Sequence, residues 1–214
     1  LRKIGIVGES GAGKTTLLRM LGVFLEPVSG QLMIDGQPLS DNRKRRWQQQ
    51  LAFIPQHPYL FSRSLADNVR FYDPNISDEQ IQQVLEEVEL GSLVSQLPKG
   101  IHEPIGEGGR TLSGGQAQRV ALARALAGNR SVWLLDEPTA HLDIETELEL
   151  KEVMLSIFQK RRVFIATHRL HWMKEMDWIL VLDKGRLVES GTHEQLILRH
   201  GYYQKLLAAA GGEA

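Results

Sequence analysis

The chain contains no cysteine. That excludes disulfides and thiolate metal sites, and it is compatible with a reducing compartment. No apolar run approaches the roughly 20 residues of a membrane span, and no signal-peptide pattern is visible, so the chain reads as a soluble segment. A basic excess is also missing. Lys and Arg number 25 against 26 Asp and Glu, for a formal charge of −1, which leaves no electrostatic footprint for nucleic acid. The one basic cluster, Arg43 to Arg46, reads as a solvated turn or helix face. There is no internal repeat and no low-complexity segment. An initiator Met is lacking too: the chain opens at Leu1, almost inside its first strand, as expected of an excised fragment.

What is present suits a soluble globular protein. The 214 residues, 42% hydrophobic and 24% charged, are enough for one large domain or a core with an inserted subdomain. The informative stretch is Gly8-Glu9-Ser10-Gly11-Ala12-Gly13-Lys14-Thr15. An apolar run, Ile4 to Val7, precedes it, and Thr16-Leu17-Leu18-Arg19-Met20-Leu21 follows with Leu17, Leu18 and Leu21 at helical spacing. Strand, glycine loop and helix is the context a phosphate-binding P-loop requires. Glycines let the loop curl so that several N–H groups face one anion, and the helix adds its positive end. Lys14 reaches for terminal phosphates, and the Thr15 hydroxyl is placed to ligate Mg²⁺.

Further along, Gly30 to Gly36 reads as a short strand with an Asp-Gly turn, and Leu51 to Ile54 as a strand closed by Pro55-Gln56. From Ser64 to Ala127 the periodicity is helical with no convincing strand. Helices are expected over 64–71, 78–90, 91–97 and 115–127, the second opened by a Ser77/Gln80 capping box. Strands return at 131–135 and 162–166, separated by a helix over 143–158 with Leu148, Val153 and Leu155 among its apolar positions. A hairpin about Asp183-Lys184-Gly185 and two short helices, 192–199 and 202–209, precede a tail from Ala210 expected to fray. Trp133, Trp172 and Trp178 read as core or core-edge residues. The expected fold is α/β: a mainly parallel sheet with helices on both faces, the site at the strands' carboxyl ends, plus an inserted α-helical subdomain.

Several strand ends carry polar chemistry. Asp136 and Glu137 sit where an apolar strand stops. Asp136 suits an outer-sphere or water-mediated Mg²⁺ ligand, and Glu137 suits the group that polarises attacking water. Gln56 and His168 each follow a strand terminus. A Gln can ligate Mg²⁺ through its carbonyl or hold water, and a His can hydrogen-bond a γ-phosphate; taken alone, each defaults to a structural role. His168 and His171 lie three apart, but no Cys and no nearby carboxylate completes a zinc set. A second Gly-rich, hydroxyl-bearing turn, Leu112-Ser113-Gly114-Gly115-Gln116, opens the helix 117–127 and offers another anion site.

With these residues in place, the chain resembles the nucleotide-binding domains of ATP-binding-cassette (ABC) transporters. Gly8 to Thr15 match Walker A, Gln56 the Q-loop and Leu112 to Gln116 the signature. Val132 to Asp136 match Walker B, with Glu137 as the catalytic glutamate, Thr139 to Asp143 as the D-loop and His168 as the switch histidine. The motifs come in the family's order and cover nearly the whole chain. The resemblance implies a RecA-like P-loop NTPase core over 1–55 and 128–214, with 56–127 as the Q-loop and helical signature subdomain. It implies ATP and Mg²⁺ as cofactors. Nucleotide contacts are expected from Gly8, Glu9, Ser10, Gly11, Ala12, Gly13, Lys14, Thr15, Thr16, Gln56, Ser113, Gly114, Gly115 and Gln116. Thr15, Gln56 and Asp136 are the expected metal ligands, and Glu137 and His168 the catalytic pair.

In this family two such domains pair head to tail, with ATP between the Walker A of one and the signature of the other. Phe61 to Val69, Leu97 to Ile101 and Pro104 to Gly109 are similar to the exporter-type branch. Within it, Gly114 to Leu126 is similar to half-transporters of bacterial cytochrome bd assembly, associated with thiol export. The expected partners are a second nucleotide-binding domain and an N-terminal transmembrane domain, at the cytoplasmic face of a bacterial inner or plasma membrane, with no nucleic acid. The sequence departs from the family's pattern in the D-loop, where Ala140-His141 stands for the usual Ser-Ala. Two other classes remain at this level. A soluble ABC-type ATPase acting on nucleic acid or the ribosome would be stimulated by nucleic acid. A binding-only module would bind ATP without releasing phosphate.

Overall fold

The computed structural model describes residues 2–210. The expected frayed tail, from Gly211 on, lies outside the described residues. In chain order the elements begin with β1 (Lys3–Val7), α1 (Lys14–Leu21), β2 (Met33–Ile34), β3 (Gln37–Pro38), α2 (Asp41–Gln48) and β4 (Leu51–Ile54). Next come β5 (Arg63–Ser64), α3 (Leu65–Val69), α4 (Asp78–Glu87), α5 (Gly91–Gln96), β6 (Pro104–Ile105) and α6 (Gly114–Ala127). The chain continues with β7 (Val132–Asp136), α7 (Ile144–Phe158), β8 (Arg162–Ala166), β9 (Trp178–Asp183), β10 (Arg186–Gly191), α8 (His193–Leu198) and α9 (Tyr202–Ala209). Short 3-10 helices lie at Arg70–Tyr72, Gly100–His102 and Leu170–Glu175. None of the described helices is long and apolar enough to cross a membrane.

The chain divides into two compact units. One comprises Leu1–Phe53, Ser131–Glu137 and Lys160–Ala214; the other comprises Ile54–Arg130 and Pro138–Gln159.

The first unit is built on a six-stranded sheet of order β10-β9-β1-β8-β7-β4. Strands β9, β1, β8 and β7 are parallel, and β10 turns back antiparallel on β9. Strand periodicity decides which side chains meet α1. Ile6, Leu134 and Ala166 fall on one face and pack with Leu18 of α1 in the buried core. Removing a fully buried leucine such as Leu18 costs about 2–5 kcal/mol, so this packing holds α1 on the sheet. The opposite face is covered by the 3-10 helix Leu170–Glu175: a Cβ on Gly5 would lie 2.4 Å from Met173 Sδ. Asp136 is paired with Ala166 in the register, so the same alternation carries it to the α1 side. Val7, Asp136 and Ala166 therefore end neighbouring parallel strands in the same direction. The basic cluster Arg43 to Arg46 lies on α2, which buries no residue and is tied down by Trp47 Nε1 donating to the Leu21 carbonyl at 2.7 Å.

The second unit is mainly helical and centred on α6, buried from Gln118 to Ala127 and packed against α3, α4 and α7. Its run of small alanines lets neighbouring helices approach closely. Two details differ from the sequence reading. Arg63–Ser64 pairs antiparallel with Pro104–Ile105, a ladder too short to leave a period-two signature. Leu148 on α7 is exposed rather than packed.

Arg124 anchors this unit. Its guanidinium donates to the Asn68 carbonyl at 2.8 Å, to the Tyr59 carbonyl at 2.6 Å and to the Asn68 side chain. It also lies 5.2 Å over the Phe61 ring. Burial lowers its pKa to about 10, so it remains charged at neutral pH. Arg124→Met is expected to lower stability by about 3 kcal/mol, because it strands buried carbonyls that the arginine fork satisfies. Arg124→Lys should recover only part, since one ammonium cannot reproduce the fork. Urea unfolding of the chain checks both; an unchanged midpoint for Arg124→Met would remove the anchor role.

Candidate nucleotide site

The loop between β1 and α1 is held in a curl that only small residues permit. A Cβ at Gly8 would lie 2.3 Å from the Leu182 carbonyl oxygen, which is backbone and cannot swing aside. Gly13, the residue before α1, has φ 98°, ψ 11°, a left-handed conformation that glycine adopts without strain. Ala12 N donates to Glu9 O at 3.1 Å, and Gly185 N, in the β9–β10 turn, donates to Ala12 O at 3.1 Å. The hairpin thus braces the loop from outside, a contact with no signal in the sequence.

Inside the curl, Lys14 is buried and its Nζ donates to Gly8 O at 2.8 Å and Glu9 O at 3.2 Å. The Glu137 carboxylate stands 3.7 Å from the same ammonium. Thr15 Oγ1 donates to Asp136 Oδ1 at 3.0 Å. Asp136 is buried, and that burial raises its pKa; the Thr15 hydroxyl opposes the rise, and the adjacent Glu137 adds to it. A buried carboxylate with a raised pKa gains from a nearby cation. Thr15 and Asp136 together offer hard oxygen donors, the chemistry Mg²⁺ selects. Among the described residues no group of three or more His, Cys, Asp or Glu could hold a metal. A cation here would thus depend on other oxygens, such as phosphate and water, to complete its shell.

Glu137 departs from the extended strand. Its φ is 47°, uncommon for a side chain of this size and of the kind that gathers at functional positions. Its N–H donates to the Ala166 carbonyl at 2.8 Å. Its Oε2 accepts from the His168 backbone N–H at 3.2 Å and lies 2.8 Å from His168 Nδ1. A carboxylate only accepts, so Nδ1 carries the proton in this pairing.

The first unit therefore gathers the P-loop, Asp136, Glu137 and His168 at the carboxyl ends of β1, β7 and β8. Gln56 and Ser113 to Gln116 belong to the second unit. Ser113 caps α6: its side chain accepts from Gln116 N at 3.2 Å, while Gln116 Oε1 accepts from Ser113 N at 2.9 Å. Gly114 is exposed, and Gly115 is packed so closely that a Cβ would lie 2.7 Å from Thr146 Cγ2. Gln56 Nε2 lies 3.0 Å from His141 Nε2. That contact was not read from the sequence, although His141 stood out there as a departure in the D-loop.

Residues 2–140 match the family model for the ABC transporter. The chain is 56% identical over 212 residues to the glutathione/L-cysteine transport system ATP-binding/permease protein CydC of Bacillus subtilis, covering 99% of this chain and 37% of that protein. It is 38% identical over 209 residues to the ATP-dependent lipid A-core flippase of Neisseria gonorrhoeae, covering 98% of this chain and 34% of that one. A solved bacterial Atm1-family ABC exporter with ATP bound superposes with a TM-score of 0.88 at 34% identity, over 99% of this chain and 37% of that structure. The chain thus spans little more than a third of the length of these relatives. With the motifs in order, the parallel sheet beneath them and these matches, the chain belongs to the ABC transporter family.

Proposed function

We propose that the chain binds MgATP at the P-loop, hydrolyses it, and pairs head to tail with a second nucleotide-binding domain. In that reading 1–55 and 128–214 act as the ATP-binding core, and 56–127 carries the Q-loop and signature. The observation that carries it is the cluster of Lys14, Thr15, Asp136, Glu137 and His168 in one unit. Lys14 exchanges the Gly8 and Glu9 carbonyls for phosphate oxygens, and the N-terminal amides of α1 take the remaining charge. Thr15 and Asp136 would hold Mg²⁺, which when bound neutralises phosphate charge. Glu137 orients and deprotonates the attacking water, and His168, held by Glu137 through Nδ1, donates to the γ-phosphate through Nε2 when both ring nitrogens carry protons. Ser113 to Gln116 complete the site of the partner chain.

Coupled to a transmembrane domain of the kind an exporter contains, at the cytoplasmic face of a bacterial inner or plasma membrane, this cycle drives transport. The match to a glutathione/L-cysteine system supports a small thiol as cargo. Stimulation of turnover by nucleic acid would favour a soluble ATPase instead.

Mixing two inactive variants tests the shared site. Lys14→Ala removes a chain's own phosphate grip, and Ser113→Arg fills its signature turn. In a mixed dimer one site carries both lesions, and the other pairs an intact P-loop with an intact signature. Activity is therefore expected to return on mixing at high protein concentration. Wild-type ATPase rising faster than linearly with concentration establishes that the chain self-associates. With that control, mixtures no more active than either variant alone would overturn the head-to-tail arrangement.

A further inference from the structure

The hairpin turn that braces the glycine loop is itself held from further along the chain. Asp183 and Arg186 pair across its end. Between them Lys184, at φ 46°, and Gly185, at φ 77°, make the two-residue turn whose positive torsions suit a hairpin's twist. Two contacts run from this end of the hairpin to the loop: Gly185 N donates to Ala12 O at 3.1 Å, and the Leu182 carbonyl fills the space beside Gly8. A third contact reaches the hairpin from α9. The Tyr202 hydroxyl donates to Asp183 Oδ1 at 3.2 Å, since a carboxylate only accepts. Desolvation, Asp183 and Glu9 of the loop all raise the pKa of this phenol, so it keeps its proton and lies within electrostatic reach of the loop. The start of α9 is clamped in turn. Glu189 Oε2 of β10 accepts from Tyr203 N at 2.7 Å, and its carboxylate leaves no room for a Cβ on Gly201. Tyr203 is fully buried, with its hydroxyl 2.8 Å from His193 Nδ1.

We propose that Tyr202 is a positioning residue for nucleotide binding: through Asp183 it holds the β9–β10 turn against the P-loop, so that the docking of α9 sets how firmly the loop keeps its phosphate-binding curl. This rests on the reading of that loop as the ATP grip. All the residues involved belong to one compact unit, so the device is built into the fold of that unit. Several loop amides must face one anion together, and any freedom left to the loop is an ordering cost that weakens binding. A brace already in place lowers that cost. It acts on preorganisation, so its effect falls on affinity rather than on the chemical step.

Tyr202→Phe keeps the ring and alters no residue of the hairpin or the loop. It should weaken MgATP by about two- to tenfold, the span one hydrogen bond can carry. Labelled ATP reads this as Kd in the Glu137→Gln background, where binding is measured without turnover. Phosphate release at saturating MgATP, with Glu137 intact, should stay at the parent rate. Hydrogen exchange at the Gly185 amide, followed by NMR on the nucleotide-free chain, should speed up as its bond to Ala12 O opens more often. Asp183→Ala should repeat these changes, and the double variant should be no weaker than either single one. Asp183→Asn, which retains an acceptor oxygen, should match the parent. A merely structural role would lower the urea midpoint and leave the Kd of the folded chain at the parent value. An unchanged Kd, or parent-like exchange at Gly185, in Tyr202→Phe overturns the proposal while the P-loop reading stands. A parent chain that fails to bind MgATP would remove the P-loop reading and this proposal with it.

Discussion

Replacing Lys14 with alanine is expected to abolish ATP turnover and severely weaken MgATP binding. The lysine of the loop is buried and aimed inward, with its ammonium on the Gly8 and Glu9 carbonyls and 3.7 Å from Glu137. Carbonyls are neutral acceptors, so exchanging them for phosphate oxygens strengthens each hydrogen bond by adding opposite charge. Alanine removes that gain, and it also removes the cation facing Glu137. The repulsion between that carboxylate and an incoming phosphate is then uncompensated, which adds to the loss of affinity. Folding should suffer little, because Leu18 and the core it packs in are untouched. Titration with labelled ATP and a phosphate-release assay check this together. Near wild-type affinity with normal hydrolysis would remove the P-loop assignment.

Glu137→Gln is expected to keep ATP binding while slowing hydrolysis by about 10²-fold or more, the scale of a lost general base. The change is isosteric. The amide oxygen can still accept from the His168 N–H and from Nδ1, so the Glu137–His168 contacts survive with less charge. What disappears is the basicity that takes a proton from water. The variant should also accumulate an ATP-bound dimer, visible by size exclusion with MgATP, because the step that releases the dimer is blocked. Hydrolysis at the wild-type rate would show that Glu137 is not the base and shift that role toward His168. Turnover falls without binding in this variant and both fall together in Lys14→Ala, so the pair separates phosphate grip from water activation.

Much of the fold was legible in the residues because its signals are local. Ile4 to Val7, the glycine loop and the leucines of α1 announce strand, turn and helix within about 20 residues of chain, where periodicity is reliable. The capping box at Ser77 was equally readable, since its partners lie three residues apart. The ladder between Arg63–Ser64 and Pro104–Ile105 was not, because two residues carry no period and their partners lie some 40 positions away. The helical stretch after Asp143 stands after a core strand in the chain, yet by its contacts it groups with the helical unit.

For the site, the sequence by itself determined which chemical groups the chain brings: a glycine loop with Lys14 and Thr15, carboxylates at 136 and 137, a histidine at 168, and a Ser-Gly-Gly-Gln turn. Their spacing and types follow from one-dimensional order. Tertiary structure alone decided how those groups face one another. Parallel register sets Asp136 beside Ala166 and on the side of α1, which is why it meets the Thr15 hydroxyl at 3.0 Å. A left-handed backbone at Glu137 accompanies the turn of its carboxylate to Lys14 and His168. The bond between Gln56 and His141 joins residues 85 positions apart. Such pairings depend on which strands are neighbours and on single torsions, quantities set by packing of the whole core rather than by any local run of residues.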